Sequence, residues 1–298
     1  MKKNKQPEPV RYYRNNVLVE EYNPSFGLLN FLYSKKLGIF TRMILRRHWV
    51  AKLLGRYYNS TRSCKHIAPF IQQFNIEMSE FLVPSQGYQS FNEFFIRPFK
   101  PGARIIAQSP HGAIAPSDCK VYAIPNITTN THFFVKHQLF NLEQFLGSSQ
   151  LAQTFQSGTL FMFRLAPYDY HRFHFPVDCT PSKPSVIKGI LESVNPLVFY
   201  RGIQPLITNE RHCILLETNT HGTVAMIPVG AMMVGSIQYT YTAHKHYKKG
   251  DETGFFAFGG STVVLLFKQN TITPRADFIK NSLQGFETAV TMGEAINE

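Results

Sequence analysis

A chain of 298 residues that is 44% hydrophobic, 17% charged and +12 in net charge has material for one large or two small cored domains, and is too apolar for a disordered protein. No apolar run approaches the roughly 18 residues of a spanning helix, and the basic start "MKKNKQPEPVRYYRNN" lacks the apolar stretch of a signal peptide. Cys64, Cys119, Cys179 and Cys213 are widely spaced with no CxxC pair, which speaks for a reducing compartment and against a disulfide framework or a structural zinc site.

The charge is concentrated at the start. Residues 1–65 hold 14 Lys and Arg against 3 Glu, so the remaining 233 residues are nearly neutral. Within this lead, "FGLLNFLYSKKLGIFTRMILRRHWVAKLLGRYY" reads as helical, with Ile39, Met43, Val50 and Leu54 on the apolar face and Arg42, Arg46, Arg47, Lys52 and Arg56 carrying charge. Basic heads on long alkyl stems, with the lone Trp49, suit a helix lying on an anionic membrane surface; a docked helix with a solvated basic face has the same pattern. No nucleic-acid-binding signature accompanies the charge, so no nucleic acid is expected as partner.

From about residue 80 the texture changes. Short apolar runs, "GTLFMFRLA", "HCILLET", "TVAMIPVG" and "STVVLLF", alternate with Pro, Gly and Asn clusters, as antiparallel strands do. Helical patches are expected at "FNEFFIRPF" and "NLEQFLG". The expected fold class is α+β: basic amphipathic helices over 1–70 lead an antiparallel β-rich body over 71–298.

Four stretches in the body carry polar groups in apolar surroundings. "GAIAPSDCKV" presents Asp118 after a Pro–Ser turn, and "APYDYHRFHFPVD" sets His171 and His174 three apart among aromatic residues. "LITNERHCILLE" runs Asn209 and Arg211 into a strand, and "FFAFGGSTVVLLF" enters an apolar strand through Gly259, Gly260 and Ser261. Each has an ordinary structural explanation when taken alone: a turn former, satisfied core histidines, half of an ion pair, a tight bend. His244 and His246 lack an evident third metal ligand, and Ser261 lies outside any G-x-S-x-G elbow.

Taken together, these stretches resemble the phosphatidylserine decarboxylases. The resemblance runs in order through "FNEFFIRPFKPGARII", "APSD", "APYDYHRFHFPVD", "VNPLVF", "TNER", "VGAMMVGSI" and "KKGDETGFFAFGGSTVVLLF". It departs at Cys119 and Cys179, where the family commonly has glycine. It implies a proenzyme that cuts itself between Gly260 and Ser261 into 1–260 and 261–298, leaving a pyruvoyl group made from Ser261 as its covalent cofactor. By position, His174 resembles the base for that cut with Asp118 orienting it, and His171 the proton donor in decarboxylation; the sequence leaves the opposite assignment of the two histidines open. Asn209 and Arg211 become candidates for the substrate's phosphate or carboxylate, and no metal is implied. The implied substrate is phosphatidylserine, which would form a Schiff base with the pyruvoyl ketone and leave as phosphatidylethanolamine. The implied body is barrel-like, with the 261–298 chain threaded into it as a heterodimer with the rest, at the cytoplasmic face of a membrane. A pyruvoyl enzyme for a soluble amino acid and an uncleaved lipid-binding module are the alternatives.

Overall fold

Asn15 and Asn16 both take positive φ, 49° and 62°, the left-handed pair that a two-residue hairpin turn requires. They join β1 (Arg11–Arg14) to β2 (Val17–Glu20), a hairpin absent from the expected helical lead. The computed structural model describes residues 9–128, 131, 140–232, 236–259 and 261–298.

The helical stretch breaks into α1 (Phe26–Ser34), α2 (Lys36–Leu45) and α3 (His48–Tyr58), followed by α4 (Ile67–Phe74) and α5 (Phe91–Phe95). The breaks shift the helical phase, so the expected apolar face divides. Val50 is buried, whereas Ile39 and Met43 are exposed. The basic face divides too. Arg42 and Arg46 turn inward onto the buried Glu192, which also accepts from the Tyr33 hydroxyl at 2.7 Å, while Arg47, Lys52 and Arg56 stay exposed.

The body is built on β3 (Cys119–Ile124), β4 (Thr159–Leu165), β5 (Arg172–His174), β6 (Thr180–Pro181), β7 (Ser185–Ile187), β8 (Arg211–Thr218), β9 (Gly222–Val229), β10 (Ile237–Tyr239), β11 (Glu252–Phe256), β12 (Ser261–Phe267) and β13 (Glu287–Val290). A ten-stranded sheet runs in the order β2-β1-β13-β3-β4-β12-β9-β8-β6, with β7 also on β8; all pairs are antiparallel except β1 with β13. β10, β11 and β5 form a second, three-stranded sheet. The α+β class holds, but the large sheet is not closed into a barrel. The hairpin β1–β2 extends one edge, so the lead contributes strands to the body's own sheet.

β12 lies at the middle of this sheet because both its faces are apolar. Val263, Leu265 and Phe267 enter a core with Phe173 and Phe256 of the small sheet. Val264 and Leu266 enter a second core with Phe145 and Phe155, which lie on helices 142–146 and 149–155. Strand alternation sends successive side chains into the two layers, and all seven residues are buried.

Candidate active site

The register of β12 fixes the site. Ser261 stands opposite Leu165, the last residue of β4, so its hydroxyl lies where the 166–171 turn begins. That turn brings His171 back against it, with His171 Nδ1 3.4 Å from Ser261 Oγ. Both residues are completely buried, and Phe95 of α5 stacks on the imidazole with centroids 4.0 Å apart.

The proton on His171 can be placed from its partners. Nε2 lies 3.0 Å from the Ala166 carbonyl, which can only accept, so Nε2 donates and the Nδ1 lone pair faces Ser261. Burial, reinforced by the Arg97 cation, pushes the imidazole pKa down to about 3. His171 is therefore neutral at physiological pH, with an accepting nitrogen on the hydroxyl.

His174 has different partners. An odd offset of three along an extended segment sends its side chain to the opposite face from His171. Its Nδ1 donates to the Gly250 carbonyl at 2.9 Å and its Nε2 accepts from the Tyr170 hydroxyl at 3.1 Å. Asp118 accepts from Arg104 through both oxygens, at 3.0 and 2.6 Å, and from the Met292 amide at 2.8 Å. The expected relay of Asp118, His174 and Ser261 is thus not assembled in this arrangement. Both His174 nitrogens are taken, and the Asp118 carboxylate faces a guanidinium rather than an imidazole.

Asn209 and Arg211 are engaged by the backbone. The Asn209 amide bonds both the N–H and carbonyl of Glu192 and the Gly230 carbonyl; Arg211 donates to the carbonyls of Gln144, Phe145, Ile207 and Asn209. Both are buried and hold loops together, so the expectation that they meet a substrate's phosphate or carboxylate finds no free donor to support it. Gly260 lies outside the described residues. Its neighbour Gly259 takes φ +134°, a conformation that side-chain-bearing residues rarely adopt.

A largely apolar cavity of about 440 Å³ reaches Gly259 and Phe258 from the helical side; Leu28, Leu32, Phe70 and Phe74 line it. It joins the lead directly to the neighbourhood of Ser261.

A model of the phosphatidylserine decarboxylase family matches residues 91–298. The chain belongs to this family. It is 41% identical to a phosphatidylserine decarboxylase proenzyme of Chlamydia pneumoniae, over 89% of both chains. It is 38% identical to the proenzyme of Fusobacterium nucleatum over 90% of both, and 36% identical to that of Clostridium novyi over 90% of this chain and 91% of that one. The family match spans Asp118, His171, His174 and Ser261, and also Cys119 and Cys179. Those cysteines are buried free thiols; the Cys119 thiol donates to the Ser117 carbonyl at 3.1 Å and Cys179 pairs through its backbone with Tyr247. Sequence reasoning missed Asp169, Lys120 and Phe95, although "PYDYH", "DCKV" and "FNEFF" contain them.

Proposed function

We propose that this chain is a self-cleaving proenzyme whose mature form is a pyruvoyl-dependent phosphatidylserine decarboxylase. The observation that carries the reading is the buried Ser261 hydroxyl facing the accepting Nδ1 of a neutral histidine, at the start of the central strand. Loss of the hydroxyl proton lets Ser261 Oγ attack the preceding carbonyl, and the acyl group moves from nitrogen to oxygen. Removal of the Ser261 Cα proton then expels the Gly260 carboxylate and leaves dehydroalanine, whose hydrolysis releases ammonia and caps residue 261 with a ketone. Dry, apolar walls and the glycine backbone at 259 suit this rearrangement. Once formed, the pyruvoyl ketone supplies an electron sink for the bond that breaks as carbon dioxide leaves.

His171 is the ring in reach of Ser261, so we assign it the proton of the hydroxyl and, in the mature enzyme, proton transfer at the reacting carbon. A second reading gives the cut to His174, oriented by Asp118. It draws support from the Asp118 charge, which opposes the burial that lowers the His174 pKa, and from the His174 amide, which donates to the Pro116 carbonyl beside Asp118. It requires Tyr170 to release His174 Nε2. The two readings separate cleanly: His171→Ala stays uncut on the first and is cut but inactive on the second, with His174→Ala uncut only on the second.

The exposed Leu37, Phe40, Trp49 and Leu53 beside the exposed Lys36, Arg47, Lys52 and Arg56 support peripheral binding to an anionic membrane surface. No helix among the described residues is long and apolar enough to cross a membrane. After the cut, 261–298 would stay paired, because β12 sits between β4 and β9 and β13 between β1 and β3. The test is electrophoresis with intact mass, followed by assay on phosphatidylserine vesicles. Two chains, the smaller about 4 kDa with a blocked N-terminus, together with release of phosphatidylethanolamine, support the proposal. A single inert chain contradicts it.

A further inference from the structure

A chain of contacts runs behind His171, away from Ser261. Lys120 on β3 is 1% exposed and donates to both Asp169 oxygens, at 2.8 and 2.7 Å. Asp169 accepts the Ala166 amide on Oδ2 at 2.7 Å, while its own amide donates to the Ala166 carbonyl at 2.9 Å. The turn is therefore closed from both ends by one residue. The same Ala166 carbonyl receives His171 Nε2–H. That bond favours the tautomer with the proton on Nε2, and the Pro167 backbone in the same turn also interacts with the ring.

We propose that Asp169, pinned by Lys120, is the positioning residue that fixes the tautomer and placement of His171 at Ser261. The inference rests on the reading of Ser261 as the reacting residue, and holds whichever of the two proton transfers His171 performs. A carboxylate suits this place for two reasons. It accepts from an amide and an ammonium at once, and the charge pair holds it against rotation in a buried setting where either ion alone is costly. If the turn loosened, the Ala166 carbonyl would leave Nε2, the proton could move to Nδ1, and Ser261 would face a donor instead of an acceptor.

The competing explanation is a core ion pair that only stabilises the fold. The same buried cluster contains such a pair: Arg164 bonds Glu287 and Glu21, and the Arg164–Glu287 bonds do not touch the 166–171 backbone. Glu287→Gln is therefore the control for general weakening.

The experiment uses the full chain in two backgrounds. With Ser261→Ala, imidazole-nitrogen NMR, assigned by difference against His171→Gln, reads the tautomer without any activity. With Ser261 present, cleavage and decarboxylation are timed. Variants are Asp169→Asn and the double Lys120→Met/Asp169→Asn, which leaves no orphaned buried charge should the single variant fail to fold. We expect one Nε2–H tautomer in the parent and in Glu287→Gln, but a mixture in the Asp169 variants. We also expect those variants to slow, at least tenfold, the same step that His171→Ala impairs. An unchanged tautomer, or wild-type rates in the double variant, overturns the proposal. Failure of the Ser261 parent itself to cut is a distinct result: it removes the reading of Ser261 and leaves the tautomer comparison standing.

Discussion

The helical lead and the sheet centre use similar apolar residues to opposite ends. In β12 every residue is buried, and successive side chains feed two cores. In α2 and α3, Leu37, Phe40 and Trp49 remain 69%, 61% and 57% exposed beside exposed cations. The difference teaches that one region is built to hold a single hydroxyl at fixed distance from an imidazole. The other leaves large apolar side chains in solvent, which is what the proposed contact with an anionic membrane surface would cover. The cavity ending at Gly259 is where the two meet.

Perturbations should therefore divide by region. The largest effect is expected from Ser261→Ala, which should abolish the cut outright while Phe40→Ala and Trp49→Ala cut at the normal rate; gel analysis of freshly expressed chains checks this. Next, Leu265→Ala, which empties a fully buried site in β12, should cost about 2–5 kcal/mol by denaturant unfolding of the Ser261→Ala chain. Phe40→Ala should stay within about 0.5 kcal/mol in the same assay. The lead variants should show their loss elsewhere. Phe40→Ser with Trp49→Ser should weaken co-sedimentation with anionic vesicles several-fold, and Arg47→Gln with Lys52→Gln should weaken it more at low salt than at high salt. Equal vesicle binding by all of these would erase the contrast.

Near neutral pH the smallest expected effect is that of His171 titration. His171 titrates near 3 in the folded chain, against about 6.5 when unfolded. The unfolded state then binds the extra proton between those values, so the stability this group contributes is present above pH 6.5 and is lost as pH falls toward 3. Over that window His171→Gln should make the decline of stability with acid shallower by up to one proton. Between pH 7 and 8 the two chains should run parallel.

Much of this was legible in the sequence. The runs 159–165, 211–218, 222–229 and 261–267 are strands because apolar, β-branched residues recur between turn formers, and the expected helices at 91–95 and 142–146 are present. The hairpin at 11–20 escaped notice because "RYYRNNVLVE" carries its signal in two asparagines rather than in glycine. Openness of the sheet escaped notice too, since strand count does not say whether the edges meet. At the site, the motif named candidates but not which of them meet in the fold. Spacing alone cannot tell which of two histidines three residues apart faces a strand of the other sheet; the register of Ser261 on Leu165, with the turn that follows Leu165, can. The clamp on Asn209 and Arg211 was hidden for a similar reason, because its partners are backbone carbonyls contributed by distant loops.

The central claim is that residue 261 ceases to be a serine. Its most direct test is the intact mass and N-terminal chemistry of the small chain from freshly purified protein. The account predicts a 261–298 fragment lighter than a serine-headed one by one ammonia, refractory to N-terminal sequencing and reactive toward hydrazine. An undivided chain, or a fragment beginning with a free serine amine, would contradict it.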